Sequence, residues 1–270
     1  MTNEKAYERL NEILMKISKN EYPGICFLIE INMDDVREGY EDVFSLASSL
    51  HDADGDKELP GCVAELLFEV YEEEMKTGNA DAACNIGSLY YTGRGGAQDY
   101  SKAMTYYHIA AKGGCRQAQE NLGYCYYYGR DTAVDYEKAF QYFALGAFDG
   151  NIRSLYKIGD MYRNGYYVEK NVVEAFLIYT RCAETMTKEE SPLVGGDVMM
   201  RLGDCYFEGI GTKEDYRLAL QYYISAEQMF YDRLMDGDFL IKPCYEKVKR
   251  RQAETREILE SKLPDFSWTK

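Results

Sequence analysis

The stretch Asp81-Ala82-Ala83-Cys84-Asn85-Ile86-Gly87-Ser88-Leu89-Tyr90-Tyr91-Thr92-Gly93 holds the phrase that decides the fold. Its centre, Ile86-Gly87-Ser88-Leu89-Tyr90, returns as Leu122-Gly123-Tyr124-Cys125-Tyr126, Ile158-Gly159-Asp160-Met161-Tyr162 and Leu202-Gly203-Asp204-Cys205-Tyr206. The glycines lie 36, 36 and 44 residues apart. A period of this length marks stacked helix pairs, in which no unit buries its own apolar face without its neighbours. A second glycine follows six residues after each first one, at Gly93, Gly129, Gly165 and Gly209, and reads as a helix stop. Six residues further stand Asp99, Asp135, Asn171 and Asp215, whose side-chain oxygens suit the start of a second helix. Within that helix come Ala103, Ala139, Ala175 and Ala219, followed four residues later by Tyr107, Phe143, Tyr179 and Tyr223. Small residues in both helices let the backbones approach closely while the aromatic fills the space beside them.

These residues resemble Sel-one-like repeats (SLR), relatives of the tetratricopeptide repeats. The two share the Leu-Gly-x-x-Tyr and Ala-x-x-x-aromatic elements, but tetratricopeptide units keep a 34-residue period, so the longer spacing favours the former. The resemblance covers residues 60–230. It implies an all-α fold, a right-handed α/α superhelical solenoid whose first helices line a concave surface. It also implies adaptor roles in assembling complexes and, in bacteria, in signalling or host contact. The chain departs from the pattern where Ile86 and Ile158 replace Leu, and the full Gly-x-Gly loop stands only at Gly93/Gly95 and Gly209/Gly211. Eight additional residues fall between the third and fourth units. They read as a lengthened turn over Thr185 to Gly196, with Pro192 and Gly195-Gly196 breaking any helix.

Around the array, the pattern predicts three regions of one elongated domain: 1–59, helical and including part of a degenerate repeat; 60–230, the repeats; and 231–270, a capping helix and tail. Subtracting one period from the second-helix aromatics lands on Tyr71, which with Leu67 and Met75 continues the apolar spacing through Pro60 to Lys76. Its partner is expected over Asp35 to Leu50. A further helix is expected over Lys5 to Lys19, ended by the turn Tyr22-Pro23-Gly24. The run Gly24 to Ile31 fits strand or helix, and the helical architecture favours helix. Pro243 to Leu263 reads as the cap.

The 270 residues carry a formal net charge of −15 and a pI near 4.7. That argues against nucleic acid or anionic membrane as partner, because phosphate contacts need concentrated Lys and Arg. The one basic cluster, Lys247, Lys249, Arg250 and Arg251, reads as a solvated helix face. No apolar stretch reaches membrane-spanning length, so the expectation is a soluble, cytoplasmic protein. The eight cysteines do not recur as a pair in each repeat, and Cys125 and Cys205 fall on core positions. Free thiols are therefore expected, although the topology could bring Cys84 and Cys115 together. Oligomeric state is not indicated.

Nothing in the chain marks an enzyme. The two histidines, His51 and His108, have no ligand or catalytic partner at motif spacing. Asp52-Ala53-Asp54-Gly55-Asp56 imitates the opening of a calcium loop, but Lys57 stands where Gly is needed and Val63 where Glu is needed. Gly93-Arg94-Gly95-Gly96 follows no strand and precedes no Gly-Lys-Ser/Thr, so it is a repeat loop and not a phosphate cradle. No cofactor, metal or catalytic residue is expected.

At 100° per residue, positions −5, −4, −1, +2 and +3 around each anchor glycine form the core stripe, and −3, −2, +1 and +4 face away from it. The second set supplies the expected partner-binding residues: Ser88, Tyr91, Glu120, Tyr124, Tyr127, Tyr156, Asp160, Arg163, Arg201, Asp204 and Phe207. Tyr, Phe and Arg are enriched in protein interfaces, and the interspersed carboxylates can set register. The reading is a non-enzymatic scaffold that holds a peptide or protein segment. The rivals are a small-molecule or cell-wall-fragment binder, which needs a closed pocket, and a hydrolase, which needs a nucleophile and base in reach. Next after the groove come the Thr185 to Gly196 segment and the tail bearing the single tryptophan, Trp268.

Overall fold

The computed structural model describes residues 1–39, 42–55, 57–188 and 191–262, and among them the regular structure is entirely helical. The helices are α1 (Asn3–Lys16), α2 (Pro23–Glu38), α3 (Val43–Asp52), α4 (Gly61–Lys76), α5 (Ala80–Thr92), α6 (Tyr100–Lys112) and α7 (Arg116–Tyr128). They continue as α8 (Tyr136–Phe148), α9 (Ile152–Asn164), α10 (Val172–Thr185), α11 (Ser191–Glu208), α12 (Tyr216–Met235), a 3-10 turn (Phe239–Ile241) and α13 (Lys242–Ser261). The chain divides into two compact units, Met1–Tyr142 and Phe143–Lys270, with the boundary inside α8.

The repeat phrase builds the same helix pair each time. Gly93, Gly129, Gly165 and Gly209 end the first helices with φ between +67° and +74°, a left-handed conformation that costs other residues steric strain. The chain then turns back, and Asp99, Asp135, Asn171 and Asp215 donate their N–H to the carbonyls of Tyr90, Tyr126, Tyr162 and Tyr206 at 2.9–3.0 Å. The same four residues accept side-chain hydrogen bonds from the first turn of the second helix, as at Asp99 with Lys102 N and Asn171 with Glu174 N, both 3.0 Å. Across the first, third and fourth pairs the anchor glycine lies beneath an aromatic ring. A Cβ at Gly87, Gly159 or Gly203 would stand 2.6 Å from Tyr107, Tyr179 or Tyr223.

In the first unit, α1 to α5 enclose one apolar core around Leu10, Ile25, Ile29, Leu50, Leu67 and Tyr71. Gly24 to Ile31 is helical, and Pro23 opens α2 instead of closing the preceding helix, because the first helical turn needs no N–H there. The helix expected over Asp35 to Leu50 is two helices: α2 ends at the left-handed Gly39 and α3 begins at Val43 under the cap Asp42, whose carboxylate accepts from Ser45 N. Residues 40 and 41 lie outside the described residues. The degenerate repeat is the pair α3 and α4. Tyr71 is fully buried and its hydroxyl donates to the Ala47 carbonyl at 3.1 Å. One period before Gly87 stands His51, whose ring lies 6.1 Å from that of Tyr71.

The acidic loop after α3 has a structural task. Asp54 accepts from Gly24 N at 2.9 Å and Ile25 N at 3.0 Å, capping α2 from 30 residues away. Arg94, buried in the first repeat loop, donates to the carbonyls of His51, Ala53 (2.8 Å) and Lys57 (2.9 Å). Asp56 lies outside the described residues.

His51 itself is 6% exposed, and burial lowers its pKa to about 4, with the Asp52 carboxylate opposing and Arg94 adding to the shift. The unfolded chain binds the proton near pH 6.5. Between those values the unfolded state holds more protons, so the stabilisation present above pH 6.5 is lost as pH falls toward 4, by about 3 kcal/mol. Thermal melts of wild type and His51→Gln are expected to converge across that window. Parallel pH dependences of the two would show that His51 carries none of it.

In the second unit α10 ends at Thr185 and the second half of the expected turn, from Ser191, is instead the start of a lengthened helix. α11 begins at Ser191 and runs through Pro192, Gly195 and Gly196, so the expected break at these residues is absent. Pro192 falls in the first turn, where it is tolerated. The glycines serve packing: a Cβ at Gly196 would stand 2.5 Å from Phe230 and one at Gly195 2.6 Å from the Met229 sulfur. Gly196 and Phe230 repeat the Gly203 and Tyr223 contact two turns along both helices. α13 closes the unit, with Val248, Gln252 and Thr255 buried and the Gln252 amide donating to the Tyr223 carbonyl at 3.1 Å.

Candidate functional site

In the first unit, Ser88, Tyr91, Glu120, Tyr124 and Tyr127 lie on α5 and α7, which are in contact. Glu120 is buried and the other four are half-buried. Ser88 hydrogen-bonds the Tyr107 hydroxyl, so position +1 serves the hairpin before it serves a surface. Position +4 carries Tyr91 and Tyr127, each held edge-to-face by the tyrosine that opens the next helix. Tyr91 meets Tyr100 at 5.2 Å and Tyr127 meets Tyr136 at 5.6 Å between ring centroids. Tyr124 stacks on Tyr128 at 6.2 Å, and the Arg130 guanidinium lies over Tyr100 at 5.1 Å and Tyr128 at 5.9 Å.

In the second unit, Tyr156, Asp160 and Asp204 are buried, and Arg163, Arg201 and Phe207 are half-buried. The expectation that positions −3, −2, +1 and +4 stand clear of the core therefore needs correction at Glu120, Tyr156, Asp160 and Asp204. The reason is visible at Asp160. It accepts from the Tyr179 hydroxyl at 2.8 Å and receives both arms of Arg201 at 2.6 Å each, with Lys157 at 3.7 Å. Burial raises the Asp160 carboxyl, but the Arg201 charge and hydrogen bonds, with Lys157 and Tyr179, carry it below its ordinary value. Arg201 in turn lies 4.5 Å over the Tyr156 ring.

The next pair repeats the design. Asp204 accepts from the Tyr223 hydroxyl at 2.8 Å and from Lys247 Nζ at 2.9 Å, with Arg163 at 3.7 Å and Arg251 at 3.8 Å. Arg251 also pairs with Glu208 and lies 4.7 Å over Phe207. Lys247 and Arg251 thus leave the solvated face predicted for the basic cluster. The cap helix supplies the cations that the next first helix would otherwise bring, as Arg201 does for Asp160. Phe207 at position +4 meets Tyr216 edge-to-face at 5.6 Å, the arrangement seen at Tyr91 and Tyr127.

A signal for these tasks was present in the sequence. Where the second helix carries Tyr179 or Tyr223, position +1 is Asp160 or Asp204, each an acceptor for the tyrosine hydroxyl; where it carries Tyr107, position +1 is Ser88, and where it carries Phe143, Tyr124. Among the described residues no three His, Cys, Asp or Glu side chains converge as a metal site, and no helix is long and apolar enough to cross a membrane. His51 and His108 are partners of tyrosines: His108 lies 3.3 Å from the Tyr126 hydroxyl. Trp268 lies outside the described residues.

Paired helices with a glycine under an aromatic, repeated at this period, define a helical-repeat protein. The family model described as Sel1 repeat matches residues 80–115, 116–148, 152–184 and 196–229, half of the chain, and the chain belongs to the Sel1 repeat family. No curated protein sequence matches it significantly. Among solved structures it is similar to a protective antigen present in uropathogenic Escherichia coli strains that displays an SLR fold, at TM-score 0.56 and 20% identity. That match covers 84% of this chain but 49% of the antigen, so the chain spans about half of that protein's length. It is also similar to a Sel1 repeat protein from Oxalobacter formigenes, at TM-score 0.56 and 21% identity over 80% of this chain and 86% of the other. These likenesses show the all-α repeat fold.

Proposed function

We propose that this chain is a non-enzymatic scaffold that holds a peptide or protein segment against the first helices of its repeats, in the cytoplasm. The observation that supports it most is the recurring +4 aromatic. Tyr91, Tyr127 and Phe207 are each fixed edge-to-face by the tyrosine after the helix cap, yet each keeps part of its ring in solvent. A ring already held in one orientation loses little freedom on binding, which favours its use as an anchor. Tyr124 and, in the second unit, Arg163 and Arg201 extend the same positions with groups common at the centres of protein interfaces. Tyr156 and Asp160 act from behind on Arg201, and Asp204 on Arg163, holding those side chains in place. The acidic chain disfavours nucleic acid as the partner.

A photoreactive phenylalanine analogue placed at Tyr127 tests this reading. Illumination is expected to join the chain covalently to a protein partner, whereas the same analogue at Lys249 on the cap helix gives no adduct. Adducts from the Lys249 position alone would place the interaction elsewhere.

A further inference from the structure

We infer that Arg130 is a recognition site for a carboxylate on the tyrosine face of the first unit, so that the segment held there carries an internal aspartate or glutamate among apolar residues. This rests on the scaffold reading above and gives the partner its chemistry. Arg130 follows the left-handed Gly129 at the end of α7, and its guanidinium lies 5.1 Å from the ring centre of Tyr100 and 5.9 Å from that of Tyr128. Tyr91 meets Tyr100 edge-to-face, and Tyr124 stacks on Tyr128. The half-buried cation thus touches rings from both α6 and α7, within a run of tyrosines that begins on α5.

Arg130 differs from the other arginines of the repeats in having no anion. Arg163, Arg201, Arg233 and Arg251 each pair with carboxylates. Among the described residues Arg130 pairs with none, and its Nε is buried with no hydrogen-bond partner. Arg94 stands at the same place one repeat earlier, seven residues after its anchor glycine, and spends its donors on the carbonyls of His51, Ala53 and Lys57. Tyr166 and Ile210 stand there in the third and fourth repeats, so closing the loop needs no cation. Beside Arg130 are also the Tyr91 phenol and the Cys125 thiol. Burial raises both pKa values, that of Cys125 to about 12, against the Arg130 charge, so neither supplies an anion at neutral pH. A desolvated donor without an acceptor is costly, and an acceptor from outside the chain removes that cost.

One planar guanidinium fits one carboxylate through two parallel N–H···O bonds, and contact with Tyr100 and Tyr128 orients the fork before anything binds. Rings continue beyond it in both directions, to Tyr91 and to Tyr124. The acid therefore belongs inside the bound segment and not at its end, and the residues beside it are apolar. The net charge of −15 repels an acidic partner at long range, but salt screens charges separated by more than about 8 Å. The pair therefore sets register on the face more than it speeds approach.

Random short peptides, displayed on phage with their C-termini fused to a coat protein so that they offer only side-chain carboxylates, are selected on the full chain and in parallel on Arg130→Gln and Arg130→Glu. Wild type is expected to enrich peptides that carry an acid among apolar residues and that lose binding to Tyr124→Ala. Arg130→Gln is expected to lose the acidic preference, and Arg130→Glu to replace it with Lys or Arg. Changing the acid of a selected peptide to its amide is expected to weaken binding to wild type by about tenfold or more, and to leave binding to Arg130→Gln unchanged. The amide comparison on wild type decides the matter if a variant fails to fold. Selected peptides that need Tyr124 but carry no acid, or an acidic preference that survives in Arg130→Gln, would overturn the inference while the scaffold reading stands. If no peptide is enriched over the bare support, or none needs Tyr124, both fail.

Discussion

Asp160→Ala is expected to destabilise the protein by about 3–5 kcal/mol, the usual consequence of removing one partner from a buried ion pair. The carboxylate is the common acceptor for Arg201, Lys157 and the Tyr179 hydroxyl, all held in the interior of the second unit. Without it, the Arg201 guanidinium is left with Asp197, at 3.3 Å, and the Tyr156 ring, and Tyr179 loses its acceptor. A chain of this size would lose about 10 °C in melting temperature. The double variant Asp160→Leu, Arg201→Met removes both charges and fills their space, so it is expected to recover much of the loss, because desolvation offsets most of what such a pair contributes. Urea denaturation of the set gives the coupling directly. A single variant as stable as wild type would mean that Arg201 finds another anion.

Gly211→Ala is expected to cost about 4 kcal/mol, compared with about 1 kcal/mol for Gly78→Ala. Both glycines are left-handed, at φ +70° for Gly211 and +95° for Gly78. Backbone strain is therefore similar. Surroundings differ: Gly78 has open space where a Cβ would stand, whereas at Gly211 it would be driven into the Val172 carbonyl and stand 2.8 Å from the Phe176 Cβ. Gly211 is the point where the fourth repeat's loop rests on the second helix of the third. The difference in urea midpoint between the two variants measures that inter-repeat contact separately from strain. Equal losses would show that the loop withdraws from α10 without cost.

The fold was legible because its rules are local. A left-handed glycine ends a helix wherever it stands, and an Asp or Asn six residues later caps the next one, so Gly93 with Asp99 and Gly209 with Asp215 could be read from spacing alone. The Gly195-Gly196 pair misled because the same residue also serves close packing, and only Phe230, one heptad beyond Tyr223, distinguishes the two uses. Pro192 misled for a similar reason, since its cost depends on which turn of the helix it occupies. The candidate site was legible in residue type but not in burial. A helical wheel places +1 away from one neighbour, yet Asp160 and Asp204 are covered by the next first helix or by α13, and that layer enters no single-helix projection. The basic cluster on α13 followed the same logic: Lys247 and Arg251 find acceptors 43 residues away, at Asp204 and Glu208.

The proposed binding face is tested most directly by the affinity of a captured partner for wild type and for the Tyr124→Ala, Tyr127→Ala double variant, measured by isothermal titration calorimetry. Truncating one buried aromatic anchor commonly costs about 2 kcal/mol or more. The double variant is therefore expected to keep its helical spectrum while its Kd rises by about 30-fold or more, and Lys249→Ala on the cap helix is expected to leave Kd unchanged. A folded double variant that binds the same partner with the wild-type Kd would contradict the account.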